Sequence, residues 1–420
     1  MNNLKQIEKE AISARSAVRN LNEEAVSSAL LTAAARTTEK QKIILESNEA
    51  DYRSAKGRLD EGTLDRLRLD STRIEALAKQ LEEMASIPPL DRNGQSWELS
   101  NGLRVTERRI PIGVVGANFE ARPNVALDIA AQLLKSLNAV VLRTGSAALG
   151  TVTTLVDDIL RPSLEEVGIP PGAVGLIRSH DREGARLLVS LPNLIPLVIL
   201  RGSGQSTSLL ARAAAENGVR ALAHAEGGGV LYLHESADSS MAIRLIEQSL
   251  DRLGVCNRLN LLIVDTGAAK LVPEITSCLT HLGVDIRITE QAEALGISGN
   301  PLDKKIGHEW ANDPDRIATV TLHVVSDISE AARIANEETS GLAATIVANN
   351  PDAAEEFLNS YRGTTALWNA TTRFTDGYAL TGSPETGINV DWSPGPRGPV
   401  TYRDLWLRQY RVIGDGSQSR

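Results

Sequence analysis

Residues 112–146 read IGVVGANFEARPNVALDIAAQLLKSLNAVVLRTGS, and this stretch decides the fold class. Two short apolar runs, 112–115 and 139–142, flank a helical segment near 125–136, which predicts buried strand, helix, buried strand. Strands buried on both faces read as continuous apolar runs, and alternation with helices implies a mostly parallel sheet covered on both sides. The series continues with strands at 173–177 and 197–200. A second unit starts near Gly227-Gly228-Gly229, with strands at 230–233, 259–264, 320–325, 344–347 and 365–368 and helices at 237–250, 328–336 and 353–358. The class is α/β, and ligands are expected in the loops at the carboxyl ends of strands.

Before this stretch, residues 1–87 are dense in helix formers and carry no proline until Pro88. Ile74, Leu77, Ala78, Leu81, Met84 and Ala85 fall on one helical face, with Thr72 and Glu75 at capping-box spacing. Residues 103–110 alternate as a half-exposed strand ending at Pro111, and 402–413 alternate as an exposed strand that a second subunit could pair with. At 420 residues the chain exceeds what one core usually serves, so two or three domains are expected. A net charge of −9 without any basic run argues against nucleic acid or anionic membrane as partner and for a small-molecule substrate. Two cysteines and six scattered histidines support neither a disulfide framework nor a metal site. The N-terminus lacks the tripartite pattern of a signal peptide, and no apolar run approaches the roughly 20 residues of a membrane span, so a cytoplasmic location is expected.

Gly254-Val255-Cys256-Asn257 places one of the two cysteines between a glycine and an amide after a long helical run. A free cysteine is most often a small buried hydrophobe. A second polar block at 369–377, too rich in hydrogen-bonding groups for an ordinary turn, favours a nucleophile in a site assembled from distant loops. Two further loops, Arg143-Thr144-Gly145-Ser146 and Arg201-Gly202-Ser203-Gly204-Gln205, each follow a strand and join glycine, hydroxyl and arginine in a way that suits a nucleotide phosphate. Glycine-serine turns also follow strands in proteins with no nucleotide, and the Gly-x-Gly-x-x-Gly fingerprint is not met.

The segments 109–116, 119–125, 134–140, 254–257, 369–377 and 397–399, with Leu64-Asp65-Arg66-Leu67 in the helical start, together resemble glutamate-5-semialdehyde dehydrogenase, also called gamma-glutamyl phosphate reductase, a branch of the aldehyde dehydrogenase superfamily. The resemblance implies an aldehyde-dehydrogenase-like fold, divided as follows. Residues 1–232 would form the helical start and a Rossmann-type cofactor domain with the arm strand 103–111. Residues 233–368 would form the catalytic domain, and 369–420 the substrate loop, return segment and C-terminal strand of a β oligomerisation arm. It implies NADPH-dependent reduction of L-glutamyl 5-phosphate in proline biosynthesis, with Cys256 forming a thioester. Arg122, Asn124, Asn257, Asn369, Arg373 and Thr375 are the implied substrate or oxyanion residues, against the plainer roles of capping, turn formation and salt bridging. Arg143, Gly145, Ser146, Arg201, Gly202, Ser203, Gly204 and Asp313 are the implied cofactor residues. Ala147 stands where the superfamily has a glutamate, which favours NADP(H) over NAD(H). A homodimer or homotetramer is implied, and the kinase that makes the acyl phosphate is a candidate partner.

The chain departs from the family's pattern at three places. Arg258-Leu259-Asn260-Leu261 replaces Ala-Leu-Glu-Thr, Leu342-Ala343-Ala344 replaces His-Thr-Glu, and Asp313 followed by Pro314 stands for a longer glutamate. These changes keep two alternatives in view: a reductase of another acyl phosphate or acyl thioester, and a non-catalytic homologue. An oxidative aldehyde dehydrogenase would need a base for thioester hydrolysis, for which Glu226 and His224 are the nearby candidates.

Overall fold

The computed structural model describes residues 3–202, 204–224, 227–310, 313–391 and 395–419. Five helices, Asn3–Ala17, Glu23–Glu39, Gln41–Ala55, Glu61–Leu67 and Ser71–Ser86, fill the N-terminal region. The apolar face read from 74–85 is buried as expected. The cap differs: Asp70, in extended conformation, accepts the Arg73 N–H at 2.8 Å, so the helix starts at Ser71 and Thr72 lies inside it.

The deciding stretch folds as strand Val114–Phe119, helix Asn124–Lys135 and strand Ala139–Thr144. These strands belong to a five-stranded parallel sheet, in the order Val174–Leu176, Ala139–Thr144, Val114–Phe119, Leu197–Arg201, Arg220–His224. One face packs against the helices spanning 23–86 and 124–135, and the other receives Ile7, Ala11 and Ala14 of the first helix. Chain order reverses between Val114–Phe119 and Leu197–Arg201, so the carboxyl ends of these two strands flank the crevice where open α/β sheets take ligands.

A seven-stranded parallel sheet forms the second unit, with Leu259–Asp265 and Gly229–Leu233 adjacent near its centre and Ala343–Val347 next to them. The sheets change between His224 and Gly229, a few residues before the boundary placed at 232/233, which would cut a central strand. Residues 369–420 are not a separate unit either, because Val400, Tyr402 and Leu405 are buried in the first core.

The arm is a three-stranded antiparallel sheet of Asn93–Glu98, Arg104–Pro111 and Trp406–Ile413. Asn93–Glu98 escapes sequence reading because Trp97 is its one large apolar residue and the strand is mostly exposed, and pairing with one neighbour alone makes it a strand. Trp406–Ile413 pairs along its length with Arg104–Pro111 of the same chain, and its other edge is unpaired among the described residues. Trp97, Leu407, Tyr410 and Val412 lie exposed on this sheet. Among the described residues, no helix is long and apolar enough to cross a membrane.

Candidate active site

Between the two sheets lies a cavity of about 140 Å³. The five-stranded sheet contributes Phe119 to Arg122 and Arg201-Gly202, at the carboxyl ends of its strands; the seven-stranded sheet contributes Gly227, Gly254, Cys256 and Leu342, which precede its strands. Cys256 sits in the loop between helix Ser239–Ser249 and strand Leu259–Asp265, with its side chain open to the cavity.

Several backbone and side-chain bonds fix that loop. Gly228 N–H donates to the Cys256 carbonyl at 2.6 Å and Gly229 N–H to the Arg258 carbonyl at 2.7 Å. A Cβ at Gly227 would lie 2.7 Å from Cys256 Cβ, and Gly228 has φ +105°, so this glycine run lets one backbone pass under the other. Asp313 accepts the Gly254 N–H at 2.9 Å and pairs with Arg258 at 2.5 Å, both side chains fully buried. Asp313 is therefore not at a cofactor ribose: a buried guanidinium requires a counter-charge, and this carboxylate supplies it. Asn260, another departure from the family pattern, is buried and joins His308 O to Trp310 N–H.

The implied substrate residues divide sharply. Arg122 lines the cavity, and so does Arg201, assigned from sequence to the cofactor. Neither guanidinium makes a hydrogen bond or ion pair with any described residue. Burial, then the nearby Arg201, pulls Arg122 down to about 10. Asn257 faces away from the cavity, donating to the Arg373 and Thr375 carbonyls at 3.2 and 2.9 Å while its Oδ1 accepts from Arg373. Arg373 also pairs with Asp251 at 2.7 Å. Asn369, at φ +50°, exchanges two bonds with the Ala348 backbone, and Asn124 donates to Asp128 one helical turn on. Thr375 is fully buried, with its hydroxyl unpartnered among the described residues. Capping, turn formation and loop bracing thus account for Asn124, Asn257, Asn369 and Arg373.

Of the implied cofactor residues, Arg143 donates to Asn118 Oδ1 and the Asp181 carbonyl, leaving its Nε buried without a partner among the described residues. Gly145 and Ser146 follow that strand, Gly202 lines the cavity, and Gly204 opens helix Gly204–Glu216. Ser203 and Glu226 lie outside the described residues.

Other residues reach the cavity to which the sequence reading gave no site role: Thr63 and Arg66 from the helical start, Glu120, Glu309 and Glu385. The signal for Glu385 is its loop, Ser383-Pro384-Glu385-Thr386-Gly387, polar and glycine-bearing like the others. Leu342 alone of the Leu342-Ala343-Ala344 departure lines the cavity, because the two alanines lie in buried strand Ala343–Val347. Burial raises the Cys256 thiol and Glu385 adds to the rise, while Arg201 and Arg122 oppose it. His224 also lines the cavity, and burial holds its imidazole down to about 4, neutral at pH 7.

A free thiol opens into the crevice between two α/β units, and comparison with known proteins gives the class to which this arrangement belongs. The aldehyde dehydrogenase family model matches residues 8–292. The gamma-glutamyl phosphate reductase of Thermoanaerobacter pseudethanolicus is 34% identical over 378 residues, 89% of each chain. That of Desulforamulus reducens is 33% identical over 420 residues, 99% of each. The crystal structure of gamma-glutamyl phosphate reductase from Thermotoga maritima superposes with a TM-score of 0.90 at 30% identity, covering 99% of this chain and 100% of that one. The chain belongs to the aldehyde dehydrogenase family, in its gamma-glutamyl phosphate reductase branch.

Proposed function

We propose that the protein reduces L-glutamyl 5-phosphate to L-glutamate 5-semialdehyde and phosphate, with NADPH as reductant, in proline biosynthesis. The observation that carries this reading is Cys256 sharing one cavity with two guanidiniums, Arg122 and Arg201, neither of which makes a hydrogen bond or ion pair with a described residue. An acyl phosphate brings the missing anion. In this reading Cys256 Sγ attacks the acyl carbon and the bond to phosphate breaks, leaving a thioester on the enzyme. Arg122 takes up the charge of the departing phosphate, a developing negative charge of the kind preorganised donors stabilise strongly. Phosphate leaves without a general base, so the neutral His224 has no obligatory role.

The carboxyl ends of strands Ala139–Thr144 and Leu197–Arg201 fit a nicotinamide nucleotide. Thr144 Oγ1 and Arg143 Nε are buried there without partners among the described residues, and Gly145 has backbone no nearer than 3.8 Å to an added Cβ. Gly145, Ser146, Gly202 and Gly204 would hold it, and when bound it supplies the reducing equivalent for the thioester. The free edge of Trp406–Ile413, with its exposed Leu407, Tyr410 and Val412, is the surface we assign to subunit pairing.

The test is NADP+ reduction by the purified protein with glutamate 5-semialdehyde and inorganic phosphate, beside Cys256→Ala. Phosphate-dependent turnover that falls by more than about 1,000-fold in the variant is expected for a covalent nucleophile. Leu342 on the cavity wall favours a second reading, a less polar acyl group. Equal or better turnover of an aldehyde other than glutamate semialdehyde would select it.

A further inference from the structure

Directly beside the reactive cavity lies a second one, of about 180 Å³, which shares Arg201 and Glu385 with it. Its walls also carry Asp128 and Asp376. Arg122, by contrast, lines only the reactive cavity. Each carboxylate has limited local support. Asp128 accepts from Asn124 Nδ2 at 3.3 Å, Glu385 from Gly377 N–H at 2.9 Å, and Asp376 from Ala379 N–H at 3.2 Å. Three carboxylates therefore meet one guanidinium that itself has no hydrogen bond or ion pair among the described residues. One turn beyond Asp128 on the same helix, Gln132 is fully buried with neither amide atom bonded among the described residues. Burial raises Asp128 to about 6 and also raises Glu385, with Arg201 opposing both, so one guanidinium compensates these anions only in part. Unpaired charges of both signs in a cavity beside a nucleophile call for a ligand that carries both signs.

We propose that this second cavity is the head-group pocket for a zwitterionic α-amino acid whose acyl end lies at Cys256, with Asp128 and Glu385 receiving the ammonium and Arg201 the α-carboxylate. The proposal rests on the reductase reading for the acyl end and adds the feature that selects the substrate. It divides the two free guanidiniums: Arg122 serves the phosphate and Arg201, at the junction of the cavities, the carboxylate. A des-amino acyl phosphate would leave Asp128 and Glu385 without a counter-charge and would be rejected.

The experiment measures protection of Cys256 from alkylation by iodoacetamide, with L-glutamate or glutarate as protectant, beside turnover of glutamate 5-semialdehyde and of its des-amino analogue, 5-oxopentanoate. L-Glutamate is expected to protect at concentrations about 10- to 100-fold below glutarate, the range for one charge-assisted bond. Asp128→Asn and, separately, Glu385→Gln are expected to erase that preference, each variant's protection being referred to its own unprotected alkylation rate. Equal protection by the two acids, no protection by either, or an equal loss for both acids in the variants, would overturn the pocket. Selective protection by L-glutamate without turnover of either aldehyde would keep the pocket and refute the reductase reading; phosphate-dependent turnover with equal protection would do the reverse.

Discussion

The five-stranded sheet offers the carboxyl ends of its strands to the reactive cavity, whereas the seven-stranded sheet offers amino ends. The difference extends to the side chains. On the first side the guanidiniums of Arg122 and Arg201 stand unpaired among the described residues. On the second, Asn257, Arg258, Asn260, Asp313 and Arg373 are all engaged by one another or by backbone. In the proposed reading one wall binds and the other holds. A nucleophile needs a fixed backbone, and saturated polar partners fix it; an anion site needs unmatched charge, which is tolerable only where a ligand arrives.

The holding wall breaks with the largest effect. Asp313→Ala leaves Arg258 buried and uncompensated, and the expected loss is about 3–5 kcal/mol of stability, read from denaturant unfolding. Replacing both by apolar residues of similar volume should recover most of that loss, yet Cys256 alkylation should stay altered because Gly254 N–H has lost its acceptor. Full recovery of alkylation in the double variant would show that the pair does not position the loop.

The binding wall responds in rate rather than stability. Arg122→Ala is expected to raise the barrier by about 2.7–4 kcal/mol, the cost of one lost transition-state donor. The same variant should move the pH profile of Cys256 alkylation to higher pH, because Arg122 opposes the rise that burial imposes on the thiol. Glu385→Gln should move it to lower pH. Profiles that shift together in one direction would contradict the charge arrangement.

Asp128 sharpens the comparison through pH. Its folded pKa of about 6 lies above the unfolded value, so the folded state binds the proton more tightly, and stability is lost as pH rises from about 4 through 6. Asp128→Asn should therefore stabilise the protein by about 1–3 kcal/mol at pH 8, with no gain below pH 4. A melting temperature lowered at pH 8 would show that the ionised carboxylate is already compensated in the fold. Smallest of all, Asn124→Ala, which removes only a 3.3 Å bond to that carboxylate, should cost less than about 1 kcal/mol in the same assay.

Much of the fold was legible because burial on both faces writes itself as apolar runs. Strands at 114–119, 139–144, 229–233, 259–265, 319–325 and 343–347 are buried nearly throughout, and each falls on a run visible in sequence. Asn93–Glu98 and Arg220–His224 were not visible, because they are partly exposed and carry no apolar run longer than three residues, so that pairing makes them strands. In the site, Cys256 and Arg122 were legible as motifs. The inward neighbours Glu385 and Glu309 were not, because their local sequence suits an ordinary loop and only folding brings them to Cys256.

By itself the sequence determined an α/β chain of two parallel units, a helical start, and a thiol poised in a polar loop, since periodicity and local turn chemistry are properties of neighbouring residues. Only the tertiary structure decided which polar groups are satisfied. Asn257, Asn369, Arg373 and Asp313 looked like ligand contacts and proved to hold the backbone, while Arg201, expected at the cofactor, lines the same cavity as Cys256. The physical reason is that a polar side chain's role depends on whether a partner lies within about 3 Å, and that is set by folding distant segments together.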